Sequence, residues 1–174
     1  MPIIIGNMKS LNKHYDELWF VMRSMDWFYK DKVTGKIIDK NYRLLMQPNV
    51  KIISDLSPSR ELFYWYLKEK RKGCWDIENF LLGYAPKFIK GLVENPDAKD
   101  RLNQLWSLDR EGKTVLIVCS CSEENTCHRS ILAGILHCVG CHVITEYSIN
   151  NYVSFYNDYR AIEARYKNNE TIYV

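Results

Sequence analysis

The most constraining feature of the sequence is a continuous apolar run, TVLIVC, at Thr114–Cys119. Such a run is typical of a strand that is buried on both faces of a parallel sheet. A polar loop follows, then a helical stripe that begins near His128 and stops at Gly140, and then a second strand pattern at Cys141–Tyr147. This order predicts a strand–helix–strand unit with parallel strands.

Similar patterns precede and follow this unit. Two more strands are predicted at Ile3–Gly6 and Asn49–Leu56, and a helix start is predicted after the second one at Ser57-Pro58. An apolar stripe predicts a helix with one face formed by Tyr15, Leu18, Trp19, Met22 and Tyr29. The remaining helices are predicted around Ile77–Tyr84, from Pro86, from Pro96 to Leu108, and around Tyr152–Tyr159.

Four strands that alternate with helices indicate an α/β fold, a three-layer sandwich around a mainly parallel, Rossmann-like sheet of four to five strands. The 174 residues, 47% of them hydrophobic, are enough for one domain, residues 1–174, with its own core. The net charge of +3 does not by itself imply a nucleic-acid or membrane surface.

The six cysteines raise the question of whether the protein is secreted, because small secreted domains are rich in disulfides. The opening MPIIIGNMKS lacks the basic leader of a signal peptide, and no apolar run approaches the roughly 20 residues that span a bilayer. We therefore expect a cytoplasmic protein whose thiols are reduced.

Ligands of parallel α/β sheets bind at the carboxyl ends of the strands. This rule selects Asn7, the segment Asp55–Ser59, the loop Cys119–Ser130 and the segment Tyr147–Asn150. Asp55 is the strand-end carboxylate best placed for general acid or base catalysis, and a helix-capping role explains it equally well.

The loop at residues 119–130 reads CSCSEENTCHRS. The helix start that follows it attracts a phosphate or carboxylate, and Arg129 is able to clamp such an anion. The positive electric field at this helix N-terminus also lowers the pKa of the Cys127 thiol and favours the nucleophilic thiolate. Arg129 is expected outside the core, because the apolar stripe begins only at Ile131.

Structural interpretations compete with these roles. Cys119 and Cys121 are also explained as small buried residues of the strand, and Cys127-His128-Arg129 as a helix cap. A metal site of Cys119, Cys121, Cys127 and His128 has no standard ligand spacing, and Cys138 and Cys141 lie roughly 15 Å away at the other end of the helix. We therefore predict neither a metal nor a cofactor.

Three segments together resemble the family called domain of unknown function 488 (DUF488): Asp55–Lys70 (DLSPSRELFYWYLKEK), Trp75–Leu92, and Val115–Leu136 (VLIVCSCSEENTCHRSILAGIL). The shared features are a Leu-x-Pro-Ser helix start, a Trp- and Tyr-rich helical middle, and a strand followed by Cys, a glutamate-containing loop and Cys-His-Arg. The resemblance covers about residues 49–147.

The resemblance implies a compact α/β sandwich and no particular reaction. By resemblance the site residues are Ser57, Pro58, Ser59, Cys119, Cys127, His128, Arg129 and Ser130. Ser120-Cys121-Ser122 departs from the family pattern, in which aromatic and glutamate residues often follow the first cysteine.

These observations favour a protein that binds or acts on a nucleotide or another small phosphorylated ligand, with Cys127 and Asp55 as catalytic residues. The predicted ligand-binding residues are Asn7, Ser57, Ser59, Cys119, Cys121, His128, Arg129 and Ser130. One alternative is a non-catalytic module that sequesters the ligand or docks a protein or nucleic acid, although nucleic acid is not the favoured partner and no membrane is expected. Another is a thiol redox sensor that uses Cys121 and Cys127.

Overall fold

The computed structural model describes residues 2–23, 33–36 and 43–168. Its strands are β1 (Ile3–Asn7), β2 (Glu17–Phe20), β3 (Val50–Ile52), β4 (Val115–Cys119) and β5 (Val143–Ile144). Its longer helices are α1 (Arg60–Arg71), α2 (Ala85–Glu94), α3 (Pro96–Arg110), α4 (His128–Cys138) and α5 (Val153–Lys167). Short 3-10 helices occupy Met8–Asn12, Ser54–Leu56 and Ile149–Tyr152, and a π-helical segment, Asn79–Tyr84, leads into α2.

In the described part of the chain the strands form one parallel sheet, in the order β3-β2-β4-β1-β5. All five residues of β4 are buried, so the sheet is covered on both faces and the predicted α/β sandwich with a Rossmann-like sheet is confirmed. Asn7 lies beside Cys119, and Phe20 lies beside Val118 and Ile52. The carboxyl ends of four strands therefore meet at one edge.

Residues Glu17–Phe20 form strand β2 at a place where the sequence predicted a helix, so that prediction is wrong. The consecutive side chains of Leu18–Val21 are all fully buried. A strand in the middle of a sheet buries both faces, whereas an amphipathic helix exposes part of any four consecutive residues. Tyr29, the last residue of the predicted stripe, lies outside the described residues.

Helix α1 begins later than predicted. The Ser59 hydroxyl accepts a hydrogen bond from the Leu62 amide at 3.2 Å and caps the helix, whereas the Ser57 hydroxyl donates to the Ile53 carbonyl oxygen at 3.2 Å. The predicted strands at residues 49–56 and 141–147 are shorter in the structure, partly because residues 54–56 turn into a 3-10 helix. Strand β4 and the starts of α3 and α4 agree with the sequence patterns.

Helices α2, α4 and α5 pack against one another beside the sheet. This contact brings the 3-10 turn at Ile149–Tyr152 onto α4, where the Tyr152 backbone lies against Gly134. None of the described helices combines the length and apolar character that a membrane crossing requires.

Gly134 provides a test of this packing. A Cβ atom at Gly134 would overlap the Tyr152 carbonyl oxygen, whereas Gly91 on α2 has open space around it. We expect Gly134→Ala to lower the free energy of unfolding by about 2 kcal/mol or more, because overpacking forces the backbone to move. Gly91→Ala should raise it by about 0.5 kcal/mol through helix propensity. Urea unfolding measures both, and equal stability of the two variants would contradict the packing.

Candidate functional site

Three cysteines meet at the carboxyl edge of the sheet. Cys119 ends β4, Cys121 follows it in the loop, and Cys127 is the residue that precedes the first turn of α4. Their Sγ atoms all lie within 4.8 Å of one another, and those of Cys119 and Cys121 are 3.6 Å apart. The loop at residues 120–126 returns to the strand end, which is why residues eight positions apart come into contact.

A buried glutamate holds this loop in place. The Glu124 carboxylate accepts hydrogen bonds from the Glu146 amide at 3.0 Å, the Tyr147 amide at 3.5 Å and the Tyr152 hydroxyl at 2.9 Å. The Glu124 carbonyl oxygen also accepts from the Cys127 amide at 3.0 Å. Glu124 therefore connects the cysteine loop to the segment after β5. Glu124 was not among the predicted site residues, and the signals for it were its place between the cysteines and the glutamate-containing loop of the resembled family pattern.

Arg129 lies on the other side of the loop. Its Nε donates to Cys127 Sγ at 3.3 Å, one guanidinium nitrogen donates to the Gly6 carbonyl oxygen, and the other donates to the Cys121 carbonyl oxygen at 2.9 Å. The prediction that Arg129 lies outside the core is wrong, since only 1% of it is exposed. The guanidinium binds backbone and sulfur of its own chain.

Of the three sulfurs, the Cys127 sulfur is the one that the surrounding groups favour as a thiolate. Burial opposes its charge, but hydrogen bonds from Cys119 and Cys121 and the charges of Arg129 and His128 outweigh burial, so the pKa of Cys127 lies well below its ordinary value. The hydrogen bond with Cys121 lowers the pKa of Cys119, but the Cys127 sulfur and burial raise it to about 12. Hydrogen bonds with both neighbouring sulfurs, together with burial, raise the pKa of Cys121 as well. The arrangement thus favours a thiolate at Cys127 and neutral thiols at Cys119 and Cys121.

The His128 ring also contacts the Cys127 sulfur. Its Nε2 lies 2.6 Å from the Val21 carbonyl oxygen, and a carbonyl only accepts, so Nε2 carries a proton. Its Nδ1 then faces Cys127 Sγ at 3.6 Å, and the ring packs against Phe88 with centroids 5.2 Å apart. The buried imidazole is therefore oriented by the chain after β2.

Two residues predicted to bind the ligand have local structural partners. The Ser130 hydroxyl donates to the Cys127 carbonyl oxygen at 2.8 Å and is fully buried. The Asn7 side chain accepts from the Lys9 amide at 2.9 Å and caps the 3-10 helix after β1. Neither lines the cavity described next.

A cavity of about 290 Å³ opens above the cysteines. Cys119, Cys121, Cys127 and His128 form its floor, and Arg23 and Lys70 lie among the residues that line it. Its aromatic wall consists of Phe63, Tyr66, Trp75 and Tyr84.

The aromatic wall is held together by edge contacts. The Trp75 ring meets the Tyr66 ring at 4.6 Å and the Tyr84 ring at 5.6 Å, both nearly perpendicular. Lys70 Nζ donates to the Tyr66 hydroxyl at 3.1 Å. Tyr66 and Lys70 lie four residues apart on α1, and this helical spacing places both side chains at the cavity.

In the segment Asp55–Ser59, Pro58 lines the cavity above the cysteines, whereas Asp55, Ser57 and Ser59 line a second, larger cavity of about 570 Å³. Asp55 Oδ2 accepts from Arg101 Nε at 3.3 Å, an ion pair that ties this segment to α3. The cysteines do not line this cavity, and Arg23 is a residue that lines both. The structure therefore does not place Asp55, Ser57 and Ser59 in the cavity that holds Cys127.

A parallel α/β sheet with three neighbouring cysteines and a buried arginine at its carboxyl edge defines a Rossmann-like domain with a cysteine-centred site. A family model, DUF488-N3a, described as the active DUF488-N3 subclade, matches residues 38–140. The match covers more than half of the chain, so the chain belongs to this DUF488 family. No curated protein and no solved structure gives a significant match.

The role of Glu124 in positioning the loop is tested by Glu124→Gln. The side-chain amide would turn a donor toward a backbone amide that also donates, so we expect the free energy of unfolding to fall by about 2 kcal/mol. The neighbouring, exposed Glu123 supplies the control, and Glu123→Gln should change stability by less than about 0.5 kcal/mol. If denaturant unfolding shows the same small change for both variants, Glu124 does not anchor the loop.

The lowered pKa of Cys127 predicts an unusual pH profile for its alkylation. Thiolates react with iodoacetamide, so the rate of an ordinary thiol rises almost tenfold between about pH 7 and pH 8. The rate at native Cys127 should rise far less over that range, because a pKa well below the ordinary value keeps a larger share of the sulfur ionised, and burial should make the reaction slow throughout. Mass spectrometry of the Cys127 peptide gives the rate, and the same peptide in unfolded protein is the control. A tenfold rise in the native protein would contradict the ionised state.

Proposed function

We propose that this chain is a cytoplasmic enzyme that acts on a nucleotide, or on a similar small phosphorylated ligand, through the Cys127 sulfur. The observation that supports this most is the position of Cys127 Sγ, 3.3 Å from Arg129 Nε and on the floor of the aromatic cavity. A sulfur that a fixed cation stabilises at the floor of a cavity is suited to nucleophilic attack. The family description, an active subclade, also favours an enzyme.

The cavity supports the ligand class. Planar bases stack on aromatic rings, and Tyr66 and Trp75 offer such rings beside the cysteines. Lys70 and Arg23 supply positive charge for a phosphate group. The volume of about 290 Å³ lies at the lower end for small-molecule sites, which favours one nucleoside-sized group over a dinucleotide.

The reaction would proceed through a covalent intermediate. The Cys127 sulfur forms a bond to an electrophilic carbon or phosphorus atom of the ligand, and the bond to the leaving group breaks with its electron pair. The neutral Cys121 thiol gives its proton to the leaving group. Water then attacks the intermediate, returns a proton to Cys121 and releases Cys127 as the thiolate.

The unpaired state of the cysteines also supports the proposed cytoplasmic location. All six are free, including Cys119, Cys121 and Cys127 in close contact, and unpaired neighbouring thiols are stable where glutathione and thioredoxin keep them reduced.

A second candidate function is binding of the same ligand without conversion. The burial of Cys127, of which 2% is exposed, favours this candidate because a ligand atom reaches the sulfur only if neighbouring side chains move.

Turnover distinguishes the two candidates. A thermal-shift screen of nucleotides, cyclic nucleotides, sugar phosphates and inorganic phosphate identifies ligands, and each hit is then incubated in large excess and analysed for chemical change. The wild type and Cys138→Ser, which changes a thiol at the far end of α4, should consume the hit. Cys127→Ser should bind it and consume it at least about a hundredfold more slowly.

Each outcome of the turnover assay favours one of the two candidate functions or excludes part of the proposal. A hit that stays intact at one bound molecule per chain supports the binding protein, and consumption by Cys127→Ser at the wild-type rate excludes this sulfur as the nucleophile. If no compound in the screen raises the melting temperature, the proposed ligand class is wrong.

Lys70 allows a further test of the ligand class. We expect Lys70→Ala to weaken binding of a phosphorylated hit by about tenfold, the loss of one contact worth about 1.4 kcal/mol. Lys68, exposed on the same helix and not part of the cavity, is the matched control, and Lys68→Ala should change the affinity less than about twofold. Calorimetric titration compares them, and equal affinities would show that Lys70 does not contact the phosphate.

A further inference from the structure

We propose that Cys119, Cys121 and Cys127 form a binding site for one zinc ion, with a fourth coordination position open to the aromatic cavity. The three sulfurs already lie within 4.8 Å of one another, with 3.6 Å between Cys119 and Cys121. A tetrahedral zinc with bonds of about 2.3 Å holds its sulfur ligands roughly 3.8 Å apart. Side-chain shifts of about 1 Å are therefore enough to bind the ion.

The charges around the cluster favour a divalent ion. Three cysteine thiolates with one zinc ion carry a net charge of −1, and the guanidinium of Arg129 brings the buried group to neutrality. Arg129 is 1% exposed and donates to Cys127 Sγ and to the Cys121 carbonyl oxygen, so it already lies in the shell of residues that orient the ligands. Hydrogen bonds of this kind stabilise thiolate ligands of metals.

The cavity above the cysteines gives the zinc ion a path from solvent and leaves its fourth coordination position open. All three cysteines line the cavity, and the partly exposed Cys121 is the ligand nearest to solvent. Thiolates select zinc over magnesium or calcium, which prefer oxygen ligands. The spacing of the cysteines along the sequence matches no standard zinc motif and had argued against a metal. The fold of the loop nevertheless brings the three sulfurs together.

Zinc would also regulate the proposed enzyme. A sulfur that coordinates zinc no longer attacks a ligand, so zinc binding and covalent use of Cys127 exclude each other. This consequence rests on the proposed function, whereas zinc binding itself depends only on the three sulfurs.

Metal titration of the purified full chain tests the site without any nucleotide. The protein is reduced, freed of metal with a chelator, and titrated with Zn²⁺ against a chromophoric chelator and separately with Co²⁺. We expect one ion per chain and the sulfur-to-cobalt charge-transfer absorption of a thiolate site. Cys121→Ser should weaken zinc binding at least about a hundredfold, and Cys138→Ser should bind as the wild type does.

Three results would overturn the site: no zinc bound in competition with the chelator, unchanged affinity in Cys121→Ser, or an equal loss in Cys138→Ser. The cobalt spectrum of the wild type decides the matter independently of any variant that fails to fold. If zinc binds but no nucleotide is converted, the proposed function fails and the metal site stands. If nucleotides are converted but zinc does not bind, the metal site is wrong and the proposed function stands.

Discussion

The site depends on the buried guanidinium of Arg129. It joins the Gly6 carbonyl oxygen at the end of β1, the Cys121 carbonyl oxygen in the loop and the Cys127 sulfur at the start of α4. A buried cation without partners costs several kcal/mol, so the chain is held in the conformation that supplies these acceptors. The sulfur among them gains a neighbouring positive charge. Arg129 thus holds the path of the loop and, together with the hydrogen bonds from Cys119 and Cys121, lowers the pKa of Cys127.

Glu124 complements Arg129 with the opposite charge. It accepts from the Tyr152 hydroxyl and from backbone amides after β5, while Arg129 binds β1 on the other side. The loop between β4 and α4 is therefore anchored at two polar points, with Cys121 and Cys127 close to them. Such satisfied buried networks specify one conformation more sharply than apolar contacts, which have no preferred direction. This explains how a loop holds three sulfurs within 4.8 Å.

The parts of this architecture that follow from hydrophobic periodicity were predictable. The run Thr114–Cys119 and the stripe after His128 identified β4, α4 and the loop between them, because a buried strand and an amphipathic helix have distinct patterns. Strand β2 was mistaken for a helix, since Leu18–Val21 is a short apolar run that periodicity alone does not resolve.

The site was predictable only in part. The sequence placed Cys119, Cys121, Cys127 and Arg129 in one loop after a strand, and the structure brings them together there. A charged residue in the first turn of a helix gives no sign of burial when its partners, such as Gly6, are far away in sequence. The cavity wall depends likewise on Tyr66 and Trp75 from another part of the chain. Long-range contacts of this kind come from packing, which sequence patterns do not contain.

The ultraviolet absorbance of a thiolate shows whether the Cys127 sulfur is ionised, and it does so without relying on the reactivity of that sulfur. It is measured near neutral pH in reduced, chelator-treated protein, with serine variants at two of the three sulfurs. We expect one thiolate per native chain, absent in Cys127→Ser and retained in Cys121→Ser. No thiolate in the wild type, or its loss in Cys121→Ser with retention in Cys127→Ser, would contradict the pairing of Arg129 with an ionised Cys127.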